Sequence, residues 1–264
     1  MKHQHAHVHF LDYYGYLSKL NPWNAAFKAV FSILNMLICI IADHWLVSIV
    51  IAFSMAYMIV GRGKMHLHTY ISLLKIPVFF IIFSCIAIAV NISGTTNVHA
   101  GVSLGFCYLY ITEETLVNGV HVFLKAFGAV SAMYMLTLTT TSDEIIQVLK
   151  KCHVPKFIIE LMYLIYRYIF VLMDIHENMK QAAQSRVGER DFITSCKTFG
   201  KIADNLLIQS IKKAGLYYDA MLARGYDGDL CFLEEKKKVT KAQLMGAAGY
   251  FVFIGALIVF VNRF

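Results

Sequence analysis

Five apolar runs, each close to the length a helix needs to cross a bilayer, constrain this chain more than any other feature. They lie at roughly 25–41, 45–60, 71–92, 116–138 and 242–261, and a hydrocarbon core about 30 Å thick takes about 20 residues of helix. Lipid offers backbone amides no partners, so each run has to satisfy its own hydrogen bonds and is therefore expected to be helical. Composition agrees: 58% of the residues are hydrophobic and only 16% charged, where soluble domains carry about 25%. The expected fold is an all-α, polytopic membrane protein of about five transmembrane helices. Asp43-His44 interrupts the first two runs, which predicts a tight helical hairpin there. The first ten residues carry histidines in place of an apolar core, so no cleavable signal peptide is read.

Loop charges set the sidedness. The loop 61–70 holds Arg62 and Lys64, whereas 93–115 has no Lys or Arg and carries Glu113 and Glu114. By the positive-inside rule, 61–70 and the long basic segment between the fourth and fifth runs are cytoplasmic, and 93–115 is external. The net charge of +7 thus reports membrane orientation; nucleic acid is not an expected partner, because no recognition motif accompanies the lysines. The chain divides into a four-span domain (1–141), a cytoplasmic helical region (142–240) and a last span (241–264).

Two stretches of the cytoplasmic region have helical periodicity. Segment 157–180 is apolar enough to resemble a sixth span, but Glu160, Arg167 and Asp174 recur at heptad spacing and give it a polar stripe. A charge at mid-bilayer costs about 2.5–3.5 kcal/mol on insertion scales, so this helix is expected at the interface or beneath the bundle. The next helix, about Ser195 to Ala223, shows an apolar face of Phe199, Ile202, Leu206, Ala214, Tyr217 and Met221, with Lys197, Lys201 and Asp204 off it.

Each of these runs ends on an arginine followed closely by glycine: Gln184-Ser185-Arg186-Val187-Gly188 and Leu222-Ala223-Arg224-Gly225-Tyr226. A single such end has an ordinary explanation. A cation in the last turn gains about 0.3–1 kcal/mol from the macrodipole, and glycine just beyond is the usual C-cap. Two such ends in one cytoplasmic segment point to docking, because arginine's planar five-donor head suits a partner's polar groove and is enriched among hot spots.

Those two ends, the Thr139-Thr140-Thr141-Ser142-Asp143-Glu144-Ile145 stretch running to Val154-Pro155, and the opening Asp12 to Pro22 segment resemble the transmembrane T component of energy-coupling factor transporters, with the cobalt-type CbiQ family the nearest. The likeness covers nearly the whole chain. It implies a non-catalytic subunit of a bacterial plasma-membrane system for divalent cobalt, linked to cobalamin biosynthesis. Its partners would be two ATP-binding cassette ATPases, which hold the ATP, and a substrate-binding membrane subunit. Ser185, Arg186, Val187 and Ala223, Arg224, Gly225 would end two coupling helices and enter grooves on the ATPases. Such proteins often have small residues, glycine or serine around the first arginine; here Ser185 and Val187 flank it.

The residues alone lead the same way. There is no G-x-x-x-x-G-K-[ST] stretch, since Gly61-Arg62-Gly63-Lys64 and Gly200-Lys201 both lack the earlier glycine. No cofactor is expected on this chain, and energy for active transport would come from partners. His3, His5, His7 and His9, with His66 and His68, are weak metal candidates, because no carboxylate or thiol completes a site and a solvated tail explains the run. Lys125, with His121 one turn earlier, is the most costly charge read within the spans, facing either a polar group of the bundle or the substrate-binding subunit. Lys75 and Pro77 read as snorkelling and a kink near the start of the third span. Cys39 and Cys85 read as small core hydrophobes. Asp143-Glu144 read as the start of a helix after Ser142, not as catalytic groups. The alternatives are a nickel or vitamin T component and a self-contained metal permease; a membrane enzyme lacks a catalytic constellation.

Overall fold

The computed structural model describes residues 9–42, 44–89, 91–93, 101–103, 108–110, 113–186, 188, 190–228, 237–261 and 263. In chain order the helices are α1 (His9–Leu17), α2 (Ala25–Ala42), α3 (Trp45–Tyr57), α4 (Leu67–Ala89), α5 (Glu113–Thr139), α6 (Ser142–Lys151), α7 (Lys156–Ser185), α8 (Phe192–Leu222) and α9 (Lys241–Val261). A π-helical turn, Met58–Arg62, prolongs α3. Among the described residues, five helical stretches are long and apolar enough to span a membrane: Ala25–Ala42, Trp45–Arg62, Leu67–Ile88, Val117–Thr139 and Lys241–Val261. The all-α, multi-pass expectation holds, and α7 and α8 are not among the five.

The chain forms two compact units, residues 1–148 with 236–264, and residues 149–235. In the first, α5 is the hub on which α1, α2, α3 and α4 pack. Small residues make that possible. A Cβ on Gly128 would stand 2.7 Å from Cys39 Sγ and 2.9 Å from the Ser48 carbonyl oxygen, so only glycine lets α2 and α3 approach α5 this closely. Cys39, Val47, Ile51, Met55, Ala132, Met135 and Leu138 fill the buried core. Polar groups stitch it: the Ser32 hydroxyl donates to the Ala132 carbonyl, and Tyr250 donates to Asn35 Oδ1 at 2.8 Å and lies 2.6 Å from Ser54 Oγ. The outward faces of α4 and α9 stay apolar and exposed, Phe79, Phe80, Phe83 and Phe253 among them, as a surface in hydrocarbon requires.

Several local expectations need correction. The third span begins at Leu67, not residue 71, because helical hydrogen bonding continues past the apolar stretch that hydropathy detects. Pro77 consequently lies inside α4 and is not a kink at its start. It deprives the Leu73 carbonyl of its partner one turn back, and the Tyr134 hydroxyl of α5 takes that place at 3.1 Å. The loop 93–115, read from sequence only for its charge, contains part of a small antiparallel sheet of β1 (Asn91–Ser93), β2 (Gly101–Ser103) and β3 (Tyr108–Tyr110) in the order β1-β3-β2. Helix α6 opens with Ser142 itself. The Thr141 carbonyl accepts from Ile145 N–H at 3.1 Å and Glu144 reaches back to Thr141 N–H at 3.4 Å, half of a capping box.

Candidate docking site

The second unit is built on the pairing of α7 and α8. Val154-Pro155 starts α7, with Ile158 N–H bonding the Pro155 carbonyl at 3.0 Å. Asp191, in extended conformation, precedes α8, which starts three residues before the expected Ser195. Tyr168 stacks on Tyr217 with ring centroids 4.8 Å apart, and Thr198 Oγ1 donates to the Gly188 carbonyl at 2.9 Å. The first contact joins the first half of α7 to the late part of α8, and the second joins the turn after α7 to the early part of α8, so the helices are antiparallel. The half-buried face of α8 includes Ile202, Leu206, Tyr217 and Met221, as expected; Phe199 and Ala214 are exposed instead. Within the polar stripe of α7, Glu160 is buried while Arg167 and Asp174 are exposed.

Antiparallel pairing separates the two arginines. Arg186 caps α7 at the hairpin turn, and Arg224 follows the end of α8 at the opposite end. At 1.5 Å per helical residue that places them on the order of 40 Å apart. Both are exposed, as are Ser185, Ala223 and Gly225; Val187 lies outside the described residues.

The two ends are also built differently. Beyond Arg224, Gly225 takes a left-handed φ of 83°. Tyr226 N–H returns to the Met221 carbonyl and Gly225 N–H to the Leu222 carbonyl, both at 3.0 Å. This is a Schellman closure, and only glycine enters that conformation without strain. The closure swings Tyr226 beside Met221 and helps line a cleft of about 320 Å³ with Tyr163, Arg167, Tyr168, Tyr217 and Arg224. At the Arg186 end the chain is crowded: a Cβ on Gly188 would lie 2.8 Å from the Ala183 carbonyl oxygen. One end offers a two-arginine cleft floored by tyrosines; the other offers an arginine on a tight turn. Arg167, read from sequence only as part of a polar stripe, was missed because its nearness to Arg224 depends on the pairing of two helices.

The model of the CbiQ cobalt transport protein family matches residues 18–238. The chain belongs to that family. An uncharacterized protein of Methanocaldococcus jannaschii is 26% identical over 96% of this chain and 92% of its own length. A protein named as the fused cobalt transport protein CbiMQ, from Methanocorpusculum labreanum, is 27% identical over 94% of this chain, which covers 41% of that longer relative. The cobalt transport protein CbiQ of Salmonella typhimurium is 24% identical over 59% of this chain and 70% of its own. The chain is thus a multi-pass membrane component of the cobalt transport kind.

The other candidates of this CbiQ-family chain fall elsewhere. His121 and Lys125 lie one turn apart on α5, both half-buried, and the Lys125 carbonyl accepts from Cys39 Sγ at 3.3 Å. His3, His5 and His7 are outside the described residues, as is the side chain of His9. Among the described residues no group of three or more His, Cys, Asp or Glu gathers in metal-binding geometry.

A charged cluster in the membrane unit escaped the sequence reading altogether. Lys28, fully buried in α2, pairs with Glu144 Oε2 at 3.0 Å, and Lys237 pairs with Glu144 Oε1 at 2.6 Å. A lysine inside the first apolar run was the available signal, since such a charge demands a partner. Beside the cluster, burial raises the Asp143 carboxyl above its ordinary value, partly offset by a hydrogen bond from Tyr16.

Proposed function

We propose that this chain is the transmembrane scaffold and energy-transducing subunit of an energy-coupling factor transporter for divalent cobalt. It performs no chemistry and binds no cofactor. Two ATP-binding cassette ATPases hold the ATP and dock at the Arg186 and Arg224 ends, and a separate membrane subunit, contacted through the span face carrying His121 and Lys125, binds the substrate. The protein resides in the cell membrane with α7 and α8 cytoplasmic.

The observation that carries this reading is the placement of two exposed arginines at opposite ends of one helical hairpin. Groups on the order of 40 Å apart suit two separate partners better than one. Closure of the ATPases on ATP would shift the hairpin, and the membrane unit would follow only through contacts that differ between its two states. The apolar strip of Phe199, Leu207 and Ile211 on α8, exposed in the unpartnered chain, supports a further protein contact on this unit. The fused CbiMQ relative supports a partner of the membrane-transporter class.

The deciding experiment is co-purification in mild detergent of ATP-binding cassette ATPases from the host cell, using wild type and the Arg186→Ala/Arg224→Ala double variant. Wild type should retain both ATPases and the double variant neither. Undiminished ATPase recovery with the double variant would overturn the docking role. Cobalt uptake by this chain alone in liposomes would favour a self-contained permease.

A further inference from the structure

We infer that Glu144 is a positioning residue for energy transmission. Inside the membrane unit it clamps together the two points at which the chain leaves for the α7–α8 unit and returns from it. The inference rests on the docking reading and adds the part that must bear load.

The membrane unit gives up the chain after residue 148 and takes it back at 236. Glu144 stands on the helix just before departure, and Lys237 stands just after the return. A single carboxylate serves both: Oε1 accepts from Lys237 Nζ at 2.6 Å, and Oε2 accepts from Lys28 Nζ at 3.0 Å. The anchors behind these arms are firm. Lys28 also donates to the Thr139 carbonyl, the last residue of α5, at 2.6 Å. Lys237 also donates to the backbone and side-chain oxygens of Asn21 at 2.9 and 2.7 Å. Asn24 donates to the Lys237 carbonyl at 2.5 Å while its own Oδ1 takes the Ala26 N–H at the start of α2.

Residues 237–240 form neither helix nor strand, so regular backbone pairing does not hold the returning segment. A slack return would absorb displacement that the clamp passes on to α2 and the hub helix α5. Because the carboxylate is buried, its bonds are little screened by salt and hold direction better than a surface pair would. Lys28 alone neutralises the Glu144 carboxylate, so charge balance does not call for a second lysine. The second arm is what joins departure to return.

The test uses the full chain assembled with its ATPases and substrate-binding subunit in proteoliposomes, with Co²⁺ as the probe. Lys237→Met severs one arm while Lys28 still neutralises Glu144. It should raise amide exchange over 237–241 by about tenfold or more. It should leave ATPase co-purification and hydrolysis near wild type, and lower cobalt uptake per ATP by about fivefold or more. Lys237→Arg should restore most of the coupling. Glu144→Asp, which keeps both charges but shortens the reach, should mimic Lys237→Met and serves if that variant fails to assemble. Wild-type uptake per ATP in Lys237→Met, or unchanged exchange at 237–241, would overturn the clamp. A wild-type complex that holds no ATPase sinks the docking reading instead, and the exchange measurement then decides the clamp by itself.

Discussion

Arg224 and Arg186 are the same residue type in superficially similar contexts, yet Arg224 lines a cleft with a second arginine and stacked tyrosines while Arg186 sits on a tight turn. Two guanidinium groups in one cleft can share a partner carboxylate or helix end, so Arg167→Ala should weaken ATPase binding although it lies far from Arg224 in sequence. Truncation of a hot spot costs about 2 kcal/mol or more, roughly 30-fold in affinity. Arg224→Ala is expected at that level, Arg167→Ala somewhat below it, and titration of purified ATPase onto the detergent-solubilised chain measures both. An Arg167→Ala affinity equal to wild type would remove it from the site. Asp143 gives a pH test. Its raised carboxyl means that the folded state holds the proton more tightly than the unfolded chain does. That stabilisation is complete below the ordinary value of 3.8 and is lost as pH rises through the raised one. Asn cannot titrate, so the Tm of Asp143→Asn relative to wild type should climb as pH rises through the acidic range and then level off. A gap independent of pH would contradict the burial argument.

Helix α4 shows how a span accommodates what ought to break it. Pro77 leaves the Leu73 carbonyl without its helical donor, and the Tyr134 hydroxyl supplies one from α5 at 3.1 Å. A buried acceptor left unpaired costs about 1–3 kcal/mol. Tyr134→Phe should therefore lower stability by about 1 kcal/mol or more, and Pro77→Ala, which restores the intrahelical donor, should remove most of that penalty. The coupling is read from a double-mutant cycle of unfolding midpoints in detergent; additive effects would show that Tyr134 does not stand in for the missing amide. The same logic accounts for Gly128, where any side chain would push α5 off Cys39 and Ser48.

For the molecule as a whole, the proposed orientation rests on the asymmetry of the loop charges. Single cysteines at positions 190 and 238 should react with impermeant maleimide only after the membrane is opened, and one at position 97 from the outside, as the loop charges require. External labelling at 190 would invert the orientation and overturn the proposed docking of ATPases on α7 and α8. The histidine tail allows a separate check. Deleting residues 2–9 should leave cobalt uptake unchanged at scarce and abundant metal alike, because imidazoles without supporting ligands make a weak, unselective site. A loss confined to scarce metal would assign the tail a capture role.

The five spans and the two arginine-glycine ends were legible in the sequence because each depends on neighbours along the chain. Bilayer crossing needs an unbroken apolar run, and a helix end is marked by its own glycine. What only the tertiary structure decided are the relations between distant segments. Antiparallel pairing put Arg186 and Arg224 at opposite ends of the hairpin and brought Arg167 beside Arg224. The helix packing that brings α5 to Leu73 turned Tyr134 into the partner of a carbonyl that Pro77 had stranded. Folding also joined Glu144 to Lys28 and Lys237, which are 116 and 93 positions away. A sequence reveals that a buried charge such as Lys28 must be compensated, because desolvation makes an isolated one untenable. It does not reveal which distant residue compensates it, since that choice belongs to the packing of the whole unit.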